Sequence, residues 1–89
     1  MKSVIITHEV KKYSDWKIVY DADEENRSKA GLHITGVYQS VNNPNLITLI
    51  GEVPSVEALT GFMANPKLKA AMEQGGVIGM PDVKILSKI

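Results

Sequence analysis

The chain has 89 residues, 44% of them hydrophobic and 22% charged, a composition that fits one small globular domain (1–89) and excludes a disordered segment. Ten basic residues balance ten acidic ones and neither sign forms a block, so nothing builds the positive field that nucleic acid or an anionic membrane surface requires. Cysteine is absent, which excludes a disulfide framework and a thiolate site and is compatible with the cytoplasm; the opening MKSVIITHEV holds too short an apolar run for a secretory leader or a membrane span.

Residues 3–10, SVIITHEV, are short and β-branched, and read as a strand with Val4, Ile6, His8 and Val10 on one face. After Lys12 the period becomes helical. Tyr13, Trp16, Val19 and Tyr20 recur on one side, so the pattern predicts one long helix over about 14–30, with Ser14 as N-cap and Gly31 as its stop. Asp15 and the acidic stretch DADEEN (21–26) read as its solvated face.

Residues 33–53, HITGVYQSVNNPNLITLIGEV, read as a hairpin turning at Asn42–Asn45. Symmetric pairing sets Thr35 opposite Glu52, Val37 opposite Ile50, Gln39 opposite Thr48 and Val41 opposite Leu46. The other face then carries Ile34, Tyr38, Ile47, Leu49 and Val53, with Gly36 facing Gly51; as the more apolar face it is expected to lie under the helices, the two glycines allowing close approach. Ser55 caps a second helix bearing Val56, Leu59, Phe62 and Met63, which Asn65-Pro66 interrupts; Lys67–Gln74 resumes it and Gly75-Gly76 ends it. VIGMP (77–81) reads as a tight loop before a last strand, Asp82–Leu86.

The order βαββαβ, with right-handed crossovers, predicts an α+β ferredoxin-like fold: a four-stranded antiparallel sheet of order 4-1-3-2 with the helices on one side. The uncovered face, with Val37, Val41, Leu46 and Ile50 among Thr35, Gln39, Thr48 and Glu52, is too apolar for full solvation. A second copy of the chain stacked sheet to sheet, a homodimer, is the expected cover, and a weakly covered monomer the alternative.

The run HEVKKYSDWKIVYD, the turn NNPN, the segment LKAAMEQGGVIGMPDV and the βαββαβ order together resemble the dimeric α/β-barrel superfamily over nearly the whole chain. The closer similarity is to its small antibiotic biosynthesis monooxygenase-like and cyclase-like bacterial members. The resemblance implies the barrel-type dimer. It says less about activity, because the superfamily includes cofactor-independent oxygenases, haem-degrading enzymes, isomerases, cyclases and proteins without an assigned reaction. It also places a histidine at the position of His8 and an aromatic substrate between helices and sheet.

His8, at the end of the first strand, is a candidate proton-transfer group or else a half-buried structural histidine. Trp16, Tyr20 and Tyr38 are expected between helices and sheet, as substrate-lining or plain core aromatics, with the Tyr38 hydroxyl a second candidate for moving a proton. Glu52 points to the open face, as a functional carboxylate or a wet one. His8 and Glu52 lie too far apart along their strands to form a dyad within one chain. His33 reads as solvated. Two histidines without cysteine and without ligand spacing imply no metal site, and no phosphate loop or other cofactor signature is present. The expected function is a cofactor-independent monooxygenase- or cyclase-like enzyme acting on a hydrophobic small molecule. A non-enzymatic ligand-binding, stress-response or accessory protein is the alternative. Nucleic-acid binding of the RNA-recognition type is excluded, since Ile5, Thr7, Thr48 and Ile50 stand where exposed aromatics would be needed.

Overall fold

The computed structural model describes all of residues 1–89. Its chain order is β1 (Lys2–Val10), α1 (Tyr13–Ala22), α2 (Glu24–Lys29), β2 (His33–Gln39), β3 (Leu46–Val53), α3 (Val56–Met63), α4 (Pro66–Gln74) and β4 (Val77–Leu86). The four strands form one antiparallel sheet of order β2-β3-β1-β4, which is the expected 4-1-3-2 read from the other edge. The alternation along β1 buries Val4, Ile6, His8 and Val10, and that along β3 buries Ile47, Leu49 and Val53. Trp16, Leu59 and Phe62 close the core from the helices.

The first helical segment is two helices, not one. Asp23 leaves helical geometry at φ −96°, ψ 9°, and its N–H donates to the Tyr20 carbonyl at 3.1 Å. Arg27 Nη1 donates to the same carbonyl at 2.7 Å, so the end of α1 is satisfied without continuing its ladder. Ser14 is not the N-cap. The helix begins at Tyr13, and the Tyr13 N–H donates to Asn45 Oδ1 at 2.9 Å, so the cap comes from the distant hairpin loop. Gly31 stops α2 with φ +77°, a conformation that a side chain disfavours. Farther on, the Ser55 hydroxyl accepts the Ala58 N–H and caps α3 as expected, and Asn65 caps α4 with Pro66 in its first turn.

The hairpin register differs from the symmetric one. Glu52 pairs with His33 and Gly51 with Ile34, but beyond a bulge at Thr35 the pairs are Gly36–Ile50, Val37–Leu49, Tyr38–Thr48 and Gln39–Ile47. The Thr35 hydroxyl donates to the Ile50 carbonyl at 3.1 Å. One extra residue reverses every later side chain of the strand. Val37 therefore packs towards the helices, and Tyr38 lies on the open face, 55% exposed. Val41 does not face Leu46, because the Leu46 carbonyl takes the Ser40 N–H and the loop spans residues 40–45. The two glycines do not face each other. A Cβ on Gly51 would collide with the His33 carbonyl oxygen, and one on Gly36 with the Tyr38 ring, so neither glycine admits a helix.

VIGMP is strand, not loop. Val77 pairs with Val10 and Ile78 with Glu9, after which the register shifts before Asp82 meets Thr7. Gly79, at φ +70°, and Pro81 sit in this irregularity on an edge strand, where a missing ladder donor is tolerated. No helix of the chain is long and apolar enough to cross a membrane.

Candidate functional site

His8 sits on the helix side of the central strand, opposite Ile47 on β3, and is 8% exposed. Its Nε2 is buried and makes no hydrogen bond to any protein group. An unpaired buried nitrogen of this kind costs about 1–3 kcal/mol, and it is the polar side-chain atom left in that condition in the fold. Burial pushes the imidazole below its ordinary pKa of 6.5, so at neutral pH it is uncharged, with one ring nitrogen free to accept a proton.

An aromatic ladder rises from His8 along α1. The His8 ring meets Trp16 edge to face, with centroids 5.4 Å apart. Trp16 stacks on Tyr20 at 4.9 Å with 25° between the planes, and Tyr13 flanks it at 6.0 Å. The guanidinium carbon of Arg27 lies 3.8 Å from the centre of the Tyr20 ring. Burial raises the Tyr20 pKa against the opposing pull of Arg27, so its phenol stays protonated.

His8, Trp16, Tyr20 and Arg27 line a cavity of about 60 Å³. Ile6, His8, Leu32 and Leu49 form its floor; Trp16, Val19, Tyr20, Asp23 and Arg27 come from the α1–α2 side, and Phe62, Met63, Leu68, Ala71 and Met72 from α3 and α4, with Pro81 from β4. The space admits a few water-sized groups, whereas a site that encloses a drug-sized ligand spans roughly 300–1,000 Å³. A larger guest therefore requires the helices to move apart.

Of the residues singled out in the sequence, His8, Trp16 and Tyr20 converge here. Tyr38 does not, because the Thr35 bulge turns it to the other side of the sheet. Glu52 lies exposed on the open face, opposite Ser3 and His33, with the sheet between it and His8. Asp23 and Arg27 are additions. Asp23 leaves the solvated face assigned to DADEEN, and the spacing 16, 20, 23, 27 is a helical stripe that would have marked both residues as cavity-facing. No three His, Cys, Asp or Glu side chains converge anywhere as a metal-ligand set.

No protein-family model matches the sequence, and no curated protein matches it. Solved structures do match in shape. A candidate antibiotic biosynthesis monooxygenase of Bordetella bronchiseptica superposes with a TM-score of 0.81 at 16% identity, over 99% of this chain and 96% of that one. A candidate antibiotic biosynthesis monooxygenase of Caulobacter crescentus CB15 gives 0.73 at 20% identity, over 99% and 89%. A NIPSNAP family protein of unknown function from Agrobacterium tumefaciens gives 0.69 at 22% identity, over 97% and 86%. The chain thus has the ferredoxin-like fold of antibiotic biosynthesis monooxygenase-like proteins, and the likeness extends over the length of both partners.

Proposed function

We propose that the chain is a small enzyme that binds a hydrophobic molecule between its helices and sheet and removes a proton from it with His8, without a tightly held cofactor. The observation that carries this is the buried, unpartnered Nε2 of a neutral imidazole at the floor of an apolar cavity. Removal of a proton beside a carbonyl group leaves a carbanion. That species begins both reactions suggested by the resemblance: it adds to a second carbonyl in a cyclisation, or gives electrons to dioxygen in a monooxygenation that ends in a ketone and water. Trp16 and Tyr20 would hold a flat substrate. Tyr38 has no part in this chemistry, since it lies across the sheet.

Proton abstraction can be tested without knowing the final product. The protein should accelerate exchange of the acidic C–H protons of 2-indanone for deuterium, followed by NMR, and His8→Ala should abolish the acceleration while the circular dichroism spectrum stays folded. Equal rates with and without His8 would remove the proposal.

The small size of the cavity favours the second reading, a non-enzymatic protein that holds a small ligand in the same place. Native mass spectrometry of gently purified protein separates the two when joined to the exchange assay, because a retained ligand without exchange favours a binder.

The same reading includes a homodimer through the open sheet face, in a reducing compartment such as the cytoplasm. Ile5, Ile50, Tyr38 and Leu86 lie on that face, with Thr7 and Thr48 hydrogen-bonded to each other at 3.1 Å in its middle. Ile50, at 37%, and Leu86, at 45%, are exposed without a cover from their own chain.

A further inference from the structure

We infer that the cavity selects a flat ligand carrying an anionic group, such as a carboxylate, and that Arg27 is the residue that selects it. The inference rests on the cavity being the ligand site and adds the charge of what enters.

Arg27 is the chain's single arginine, half-buried at the cavity wall. One Nη1–H donates to the Tyr20 carbonyl and the guanidinium carbon sits 3.8 Å from the centre of the Tyr20 ring, two contacts that hold the side chain in place. A guanidinium has five donors, and no carboxylate lies within ion-pair distance of this one; the ion pairs of the fold are Lys17–Asp21, Lys29–Glu25 and Lys84–Asp82. Asp23 shares the cavity wall, but its carboxylate accepts the Asn26 amide at 2.6 Å and does not pair with Arg27. A cation fixed at the wall of an apolar site, with donors to spare, is matched by a planar anion that accepts two of them. Capping the carbonyl end of α1 accounts for one Arg27 donor, and since no Arg27 nitrogen is buried without a partner, the others are open to the oxygens of a ligand.

The ladder sets the arrangement: a ring that reaches Trp16 lies one tyrosine away from the guanidinium. The ligand would present its ring edge to His8 and its anionic end to Arg27.

Each reporter is unique in the sequence, since the chain has one tryptophan and one arginine. Benzoate, benzamide and benzylammonium can be titrated into uniformly ¹⁵N-labelled protein while the Trp16 indole and Arg27 Nε–H cross-peaks are followed. Benzoate should move both peaks in one saturable curve and bind roughly tenfold or more tightly than benzamide. Arg27→Gln should abolish that preference by weakening benzoate far more than benzamide, and Arg27→Lys should retain part of it. Equal affinity for benzoate and benzamide, both shifting Trp16, would overturn the anionic selection and leave the cavity as the ligand site. Tighter binding of benzylammonium would overturn it in favour of Asp23, and benzoate shifting Arg27 but not Trp16 would place the anion outside the cavity. If no probe moves Trp16, the cavity reading and this inference fall together. The comparison in the unaltered protein decides the matter even where Arg27→Gln, losing a helix cap, folds poorly.

Discussion

The imidazole of His8 and the indole of Trp16 meet edge to face, 5.4 Å between centroids and 68° between planes, joining the central strand to the first helix across the cavity. Such a contact contributes about 0.5–1.5 kcal/mol between aromatic rings and fixes the orientation of the imidazole. It also keeps water from one side of a titratable ring, and this has a consequence for stability.

Burial lowers the folded pKa of His8, so pH and stability are linked through it. Above about pH 6.5 both folded and unfolded chains carry a neutral imidazole. Below it the unfolded chain binds a proton that the folded chain refuses. Stability from this group therefore falls as the pH drops from about 6.5 to the folded pKa, and is level beneath it. Urea unfolding at about pH 7.5 and pH 5.5 should show the loss, and His8→Gln should flatten it. An unchanged slope in the variant would assign the loss to other groups.

Trp16 is 4% exposed and touches His8, Tyr13 and Tyr20. Trp16→Ala should cost about 3–5 kcal/mol, a large share of what holds a chain of this size. Trp16→Phe should cost distinctly less, as its ring fills part of the space. Denaturant titration followed by circular dichroism gives both values.

The cap supplied by Asn45 separates two sources of helix stability. Asn45→Ala leaves the Tyr13 N–H without its acceptor and should cost about 1 kcal/mol, or a melting temperature lower by roughly 4–8 °C. Ser14→Ala should change it little. The reverse order would return the cap to Ser14.

Gly51 and Gly36 predict unequal costs. A Cβ at Gly51 strikes the His33 backbone, which can move only by opening the β2–β3 ladder, whereas at Gly36 it strikes the Tyr38 ring, a side chain that can swing aside. Gly51→Ala should cost about 1–3 kcal/mol or more and Gly36→Ala distinctly less, as read by thermal unfolding.

The open face and the helix face can be told apart by charge. Ile50→Asp should turn a dimer into monomers with little change in the cavity, while Val37→Asp, on the helix side, should unfold the chain rather than dissociate it. Light scattering with size exclusion, beside a melting curve, distinguishes these. A soluble Ile50→Asp dimer would place the interface elsewhere.

What the sequence determined by itself was local and periodic. The period-2 pattern of β1 buried His8 beside Val4 and Ile6, and the helical spacing of Trp16 and Tyr20 put both rings on one wall. Ser55 and Asn65-Pro66 marked the later helix starts, because those signals act on the adjacent backbone. The sheet order followed from the element order and the handedness of crossovers. Tertiary structure alone decided the rest. Whether Thr35 is paired or bulged depends on the ladder with β3, and that one residue moved Tyr38 out of the site and Val37 into the core. VIGMP carries turn residues, yet pairing with β1 made it strand. The break between the first two helices is tertiary too: Asp23 leaves helical geometry where the Tyr20 carbonyl accepts the Arg27 Nη1–H. The space around His8 is likewise a property of three-dimensional packing: it is what remains after side chains from two helix pairs and a sheet have met, and no run of residues encodes it locally.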